Sequence, residues 1–131
     1  MRIVDLTVNR YADHRQVADL ATGREVVVVS ITTDDGPTGM GYSNAAVSHR
    51  GSTGEMVEML LRHQLRDVVV GQNPLLNELV WQRMYNAVAA RIGRRGMVMG
   101  CIAAIDFALW DIKAKALNAP VSDLLDSRRR T

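Results

Sequence analysis

Three histidines and one cysteine have the widest chemical repertoire in this 131-residue chain. His14, His49, His63 and Cys101 form neither an H-x-x-x-H nor a C-x-x-C pattern, so their spacing supplies no metal-ligand set. Asp34 and Asp35 are adjacent in a turn-forming stretch, where side-chain oxygens bond their own backbone. Glu55 and Glu58 open a helix and favour its dipole. Gly36, Gly39 and Gly41 match neither a Walker loop nor a dinucleotide fingerprint, because no helix begins directly after them. Arg91, Arg94 and Arg95, interleaved with Gly93 and Gly96, can clamp a phosphate or carboxylate, but a solvated or interface loop has the same composition. Asp106 stands among apolar neighbours and requires a hydrogen-bond partner, and Asp111 with Lys115 makes an i, i+4 pair. No serine occupies a strand-turn-helix elbow, so hydrolase chemistry has no nucleophile.

The elements that carry these residues divide the chain in two. Residues 1–43 read as strands. Val4, Leu6 and Val8 alternate with polar residues over 1–11; a polar loop is expected over 12–23; Val26, Val27, Val28, Val29 and Ile31 mark a β-branched central strand. Asp34, Asp35, Gly36 and Pro37 turn the chain, and 38–43 return as a third strand. Residues 52–125 read as helices. Ser52 and Glu55 have the form of a capping box for a helix over 54–66 with Met56, Met59, Leu60 and Leu65 inward. Asn73 before Pro74 predicts the start of a second helix to about 90, carried by Leu75, Leu76, Leu79, Val80, Met84 and Val88. A third helix spans 97–117, with Asn118 as a left-handed cap and Pro120 as a stop.

The third helix bears two apolar stripes. Ile102, Ile105, Leu109, Ile112 and Ala116 form one; Ala103, Trp110 and Leu117, interrupted by Asp106 and Lys113, form another. Three strands and two helices cover one stripe, so the second asks for a neighbouring domain or subunit. The expected fold class is therefore α+β, a three-stranded antiparallel meander followed by a three-helix bundle.

Composition narrows the function. The chain carries 16 basic and 14 acidic side chains, and without Arg128, Arg129 and Arg130 the balance is 13 against 14, which argues against a nucleic-acid surface. A single cysteine fits a reducing cytoplasm. The most apolar stretch, 97–110, contains Asp106 and falls short of the about 20 residues of a membrane span. The length also falls well below the about 250 residues of a (β/α)₈ barrel.

One stretch is specific. Residues 103–125, AAIDFALWDIKAKALNAPVSDLL, resemble the signature helix that ends the N-terminal capping domain of the enolase superfamily, in the mandelate racemase and muconate lactonizing branch. The family pattern is close to S-A-x-D-x-A-L-W-D-x-K-G-K, followed by a proline and Leu-Leu-Gly-Gly. Asp106, Ala108, Leu109, Trp110, Asp111, Lys113, Lys115, Pro120, Leu124 and Leu125 fall on it. VVVVSITTDDGPTGMGYS and VVVGQNPLLNELVWQRMY are similar to the family's second and third strands and its helix pair. Ala114 replaces the usual glycine, Tyr42 replaces a frequent Glu, and Asp126 with Ser127 replaces the Gly-Gly that leads into the barrel.

The resemblance implies a capping domain over 1–125 and a basic tail over 126–131 where a catalytic barrel would begin. The barrel would hold Mg²⁺ and the Lys or His bases that remove a proton alpha to a carboxylate, as in an acid-sugar dehydratase or racemase. The chain itself then has no catalytic residue, no metal ligand and no activity in isolation. Its expected partners are the barrel of the parent enzyme, a small carboxylate substrate and further copies of itself, without nucleic acid or membrane. By the same resemblance, two loops close the barrel mouth, about 11–24 and 43–53. Their candidate substrate-binding residues are His14, Arg15 and Arg24 in the first and Asn44, His49 and Arg50 in the second. The alternative is a stand-alone oligomerising interaction module with the same fold.

Overall fold

The computed structural model describes residues 1–17, 20–48 and 51–125, with the backbone alone at 13–17, 20–24 and 48. β1 (Ile3–Val17), β2 (Leu20–Thr33) and β3 (Thr38–Ala45) form an antiparallel sheet in the order β1-β2-β3, the meander expected from the strand pattern. Val27, Val29 and Ile31 of β2 are fully buried, whereas Val26 and Val28 on the other face are only half-buried. In β1 a register shift between Ile3 and Asp5 moves Ile3 into the core and leaves Val4 exposed, so the simple alternation from Val4 fails by one residue. Asp34 and Asp35 bond across the sheet end instead of to their own backbone. Asp34 Oδ1 accepts from the Arg2 amide at 2.8 Å, and Asp35 faces the terminal amine at 3.4 Å.

The expected polar loop over 12–23 is strand. Main-chain pairing continues from Ala12 opposite Glu25 to Val17 opposite Leu20. Antiparallel pairing draws on backbone groups that every residue here carries, so it does not require apolar alternation. A second, smaller hairpin follows β3, with β4 (Val47–Ser48) paired to β5 (Gly51–Ser52).

The helical half begins with α1 (Gly54–Met59), which runs through a π-helical stretch (Leu60–Leu65) into α2 (Arg66–Val69). Its inward residues are Val57, Leu60, Leu61, Leu65 and Val69, while Met56 and Met59 are exposed, because the buried stripe of α1 starts at Val57 and runs i, i+3, i+4 from there. The capping box does not form: Thr53 is the N-cap, and Ser52 Oγ instead accepts the Gly54 amide at 3.0 Å. α3 (Asn77–Met84) likewise passes through a π stretch (Tyr85–Ala89) into α4 (Ala90–Ile92). It starts later than Asn73-Pro74 suggests, since Asn73 Oδ1 accepts the Leu75 amide at 3.0 Å in a local turn. Val80, Met84 and Val88 are buried, but Leu76 and Leu79 face outward.

α5 (Met97–Ala116) crosses the sheet, followed by the short α6 (Val121–Leu124). Asn118 caps α5 in the left-handed region with φ 50°, and the Asn118 and Ala119 amides return to the Lys115 and Ala114 carbonyls at 3.2 and 3.0 Å. Ile102, Ile105, Leu109 and Ile112 fill the core; Ala116, expected on the same stripe, is exposed beyond the sheet. On the opposite stripe Trp110 is half-buried, and Phe107 and Leu117 are exposed, so the described residues leave this face largely uncovered.

Three contacts lock α5 to β3. Gly100 lies against Ser43, Gly41 against Ala104, and Gly39 against Ala108. Four helical residues rise about 6 Å and two strand residues about 6.6 Å, so small residues every fourth position on α5 meet every second position on β3. Farther along, Asp111 Oδ2 accepts the Met40 amide at 3.1 Å, and Lys115 donates to the Thr38 carbonyl at 2.7 Å and to Asp111 at 3.1 Å. The expected i, i+4 pair thus also satisfies the backbone of the edge strand.

Cys101 is fully buried, with Sγ 3.8 Å from the Val57 carbonyl, and burial pushes its thiol up to about 12. Native chain is therefore expected to resist a disulfide reagent at pH 8 and to release one thiol per chain only on unfolding. Because the folded thiol holds its proton after the unfolded one, at about 8.5, has lost it, stability also falls as pH rises from about 8.5 toward 12. Thiol titration with and without denaturant checks the first, and urea unfolding at pH 7 and 10 the second.

Candidate substrate-capping site

The sheet register places both polar hairpins at one end. Glu25 of β2 pairs with Ala12 of β1 on one side and with Ala45, the last residue of β3, on the other. Beyond that row, 13–17 and 20–24 continue as a two-stranded ribbon without β3. The β4–β5 hairpin leaves the same end of the sheet and is tied at its base, where the Thr53 amide bonds the Ala46 carbonyl and Thr53 Oγ1 accepts the Ala46 amide, both at 2.9 Å.

A charge cluster stands at this junction. Glu25 is 1% exposed and accepts from Arg10 Nε; Arg10 also faces Glu58 at 3.4 Å, which Arg62 bonds at 2.9 Å. Arg10 opposes Val27, so Glu25 is its diagonal neighbour on the inward face of the sheet. The hydrogen bond from Arg10 to Glu25 is the first cause that raises the Arg10 pKa and keeps its guanidinium charged. Gly54 completes the packing, because a Cβ there would overlap the Glu25 carboxylate. These residues belong to β1, β2 and α1, so one buried carboxylate joins the ribbon base to the start of the helical half. Glu25→Gln is expected to lower stability by about 1–3 kcal/mol, since the charged acceptor of Arg10 is lost. It should also speed amide exchange over 10–12, while exchange in α5 follows global stability alone; urea unfolding and hydrogen exchange check the pair.

The expected site residues fall unevenly. His14 pairs with Gly23, Arg15 with Thr22 and Arg24 with Asp13, so all three sit on the ribbon and not in a loop. Asn44 is not in the loop after the third strand; it is exposed within β3, opposite Val26, because β3 extends to Ala45. His49 and Arg50 lie outside the described residues. Arg91, Arg94 and Arg95 are exposed, and Arg94 rests 6.0 Å from the Tyr85 ring centroid. Asp106 is half-buried; burial raises its pKa, and a hydrogen bond with Trp110 opposes the shift. Among the described residues no three His, Cys, Asp or Glu side chains converge to hold a metal ion. Arg10, Glu25 and Glu58 carry no sequence signal of their own, because only the hairpin register and the docking of α1 bring Arg10 to partners 15 and 48 positions away.

Residues 5–126 match the mandelate racemase / muconate lactonizing enzyme N-terminal domain, and the chain belongs to this family of the enolase superfamily. It is similar to the D-galactonate dehydratase of Klebsiella pneumoniae (strain 342), 44% identical over 97 residues that cover 74% of the chain and 23% of that protein. The 3,6-anhydro-D-galactonate cycloisomerase of Zobellia galactanivorans superposes with a TM-score of 0.74 at 30% identity, over 95% of this chain and 32% of that one. A racemase of Streptomyces coelicolor A3(2) with bound magnesium superposes at 0.75 and 27% identity, over 88% of this chain and 32% of that one. The chain thus spans about a quarter of the length of the curated relatives it matches. No helix among the described residues is long and apolar enough to cross a membrane.

Proposed function

We propose that this domain caps the mouth of a catalytic barrel in a longer enzyme, an acid-sugar dehydratase or racemase, and sorts substrates by the end remote from the reacting carbon. The observation that carries the reading is the register of Glu25 with Ala12 and Ala45, which sends the ribbon and the β4–β5 hairpin out of one end of the sheet. Cationic and imidazole side chains on such projections suit the hydroxyls and carboxylates of an acid sugar. The domain's own work is to exclude water and to orient the substrate's far end.

Proton abstraction alpha to the carboxylate, and the Mg²⁺ that would stabilise the resulting ene-diolate, belong to the barrel in this reading. The described residues of this domain bring no three His, Cys, Asp or Glu side chains together to hold that ion. The similarity to a D-galactonate dehydratase supports an acid-sugar substrate, and the likeness to a magnesium-bearing racemase supports the cofactor. The test is exchange of residues 13–24 in the full-length enzyme for the corresponding ribbon of a relative, with kcat/KM measured across several acid sugars. A change in their ratios supports the reading, and unchanged ratios with an active enzyme overturn it.

A further inference from the structure

Arg10 divides its guanidinium between two elements. Nε donates to Glu25 of β2, and Nη1 faces Glu58 of α1 at 3.4 Å. From the other side Arg62 bonds Glu58 through Nε at 2.9 Å and donates through Nη2 to the Val8 carbonyl of β1 at 2.5 Å. The path of contacts therefore leaves β1 at Arg10, crosses to the helix and returns to β1 at Val8. Two attachment points on one strand hold the helix against pivoting as well as sliding, where a single bond would act as a swivel. A carboxylate as buried as that of Glu25, 1% exposed, cannot trade its partner for water without a large cost, so the central pair stays closed.

Both projections are rooted in this circuit. The ribbon begins one row beyond Glu25, where Asp13 pairs with Arg24. The β4–β5 hairpin returns to the fold through Thr53 into Gly54, and Gly54 is buried directly on the pair: a Cβ there would overlap the Glu25 carboxylate and come within 3.0 Å of Arg10 Nε. One side of the salt bridge thus belongs to the strands that become the ribbon, and the other carries the backbone that ends the second hairpin. Only a planar fork serves two carboxylates on different elements at once, which an ammonium cannot do with the same fixed geometry.

We infer that Arg10, Glu25 and Glu58 are positioning residues for substrate recognition: the cluster fixes the ribbon and the β4–β5 hairpin relative to each other, so that both meet the remote end of one substrate together. The three residues stand at the roots of the projections and act through the side chains that those carry. The substrate in this role comes from the capping reading, whereas the coupling is a property of the domain itself. A recognition surface whose two halves are held in place before binding loses less conformational freedom when the substrate arrives, and that saving appears as affinity.

Nitroxide labels on Ala21→Cys and Ser48→Cys report the separation of the two projections in the 131-residue chain by pulsed electron spin resonance; Cys101 is fully buried and stays unlabelled. The distance distribution should be about twofold broader in Glu25→Gln and in Arg10→Lys, which keeps the charge but loses the fork. Gly54→Ala should move its centre, because the added methyl displaces the hairpin base from the pair. Arg66→Ala is the control. It removes a 2.8 Å bond to Asp5 between the same strand and the same helical segment, farther from the projections, and should leave the distribution unchanged. In the full-length enzyme Glu25→Gln and Arg10→Lys should raise KM for acid sugars by about fivefold or more with kcat within about twofold, whereas mere loss of folded enzyme lowers kcat and leaves KM alone. An unchanged distance distribution in both charge variants overturns the coupling, and an unchanged KM beside a broadened distribution overturns the positioning role. Exchange of residues 13–24 tests the capping reading separately, since it replaces the ribbon and leaves Arg10, Glu25 and Glu58 in place.

Discussion

Gly41→Val is expected to cost about 3 kcal/mol or more and to lower the Tm by about 10 °C or more. A Cβ at Gly41 would overlap the carbonyl of Ala104, and one at Gly39 would overlap the carbonyl of Ala108 and reach the Ile112 side chain. The obstacle is helix backbone, which cannot rotate away as a side-chain tip can. Relief requires α5 to lift from β3, and that movement would loosen the Asp111 bond to Met40 and the Lys115 bond to Thr38. Domains of this size have only about 5–15 kcal/mol of net stability, so such a loss is a large share of the whole. Gly93→Ala is the control, since nothing lies within 4 Å of a Cβ there and its φ of 165° is open to any residue. That substitution should leave the Tm unchanged or slightly raised. Thermal melts followed by circular dichroism decide the matter, and equal melts for the two variants would mean that the α5–β3 contact is not tight.

Within a full-length enzyme, Arg24→Ala is expected to change discrimination between acid sugars by about tenfold to a hundredfold, provided that one sugar carries a distal carboxylate. A hydrogen bond between charged groups is worth about 1.5–3 kcal/mol, and each 1.4 kcal/mol is a factor of ten in kcat/KM. Arg24 pairs with Asp13 just past the last three-stranded row, where the ribbon leaves the sheet, so its backbone is anchored by pairing while it stands clear of β3. His49→Ala and Arg50→Ala test the second projection. The ratios of kcat/KM separate recognition from closure, because a lid that only excludes water lowers all substrates alike. Equal losses for every sugar in all three variants would leave the projections as a lid.

The strands and helices were legible because burial imposes a period on the chain. Ile102, Ile105, Leu109 and Ile112 announced the core face of α5, Val27, Val29 and Ile31 that of β2, and Asn118 with Pro120 the end of α5. The signature at 103–125 carried the family, which the match over 5–126 bears out. Where the period was local but the cause was not, the reading failed. Val4, Met56, Leu76 and Leu79 are apolar yet exposed: a register shift in β1 displaces its first inward residue, the buried stripe of α1 starts at Val57, and α3 starts only at Asn77.

The ribbon over 12–17 and 20–24 was hidden for a different reason. Its pairing is made by main-chain groups that are the same in every residue, so polar side chains conceal it. Sequence alone thus determined the class, the order of the three sheet strands and the main helices, and the incompleteness of the α5 face, all of which follow from hydrophobic period and side-chain volume, but it read the β4–β5 hairpin as loop. Only the tertiary structure decided that Arg10 meets Glu25, that Gly39 and Gly41 accept the α5 backbone, and that Asn77 at the start of α3 is buried. Those are encounters between distant segments. They depend on register and on the match between about 6 Å of helix and about 6.6 Å of strand, quantities that no single stretch of sequence contains.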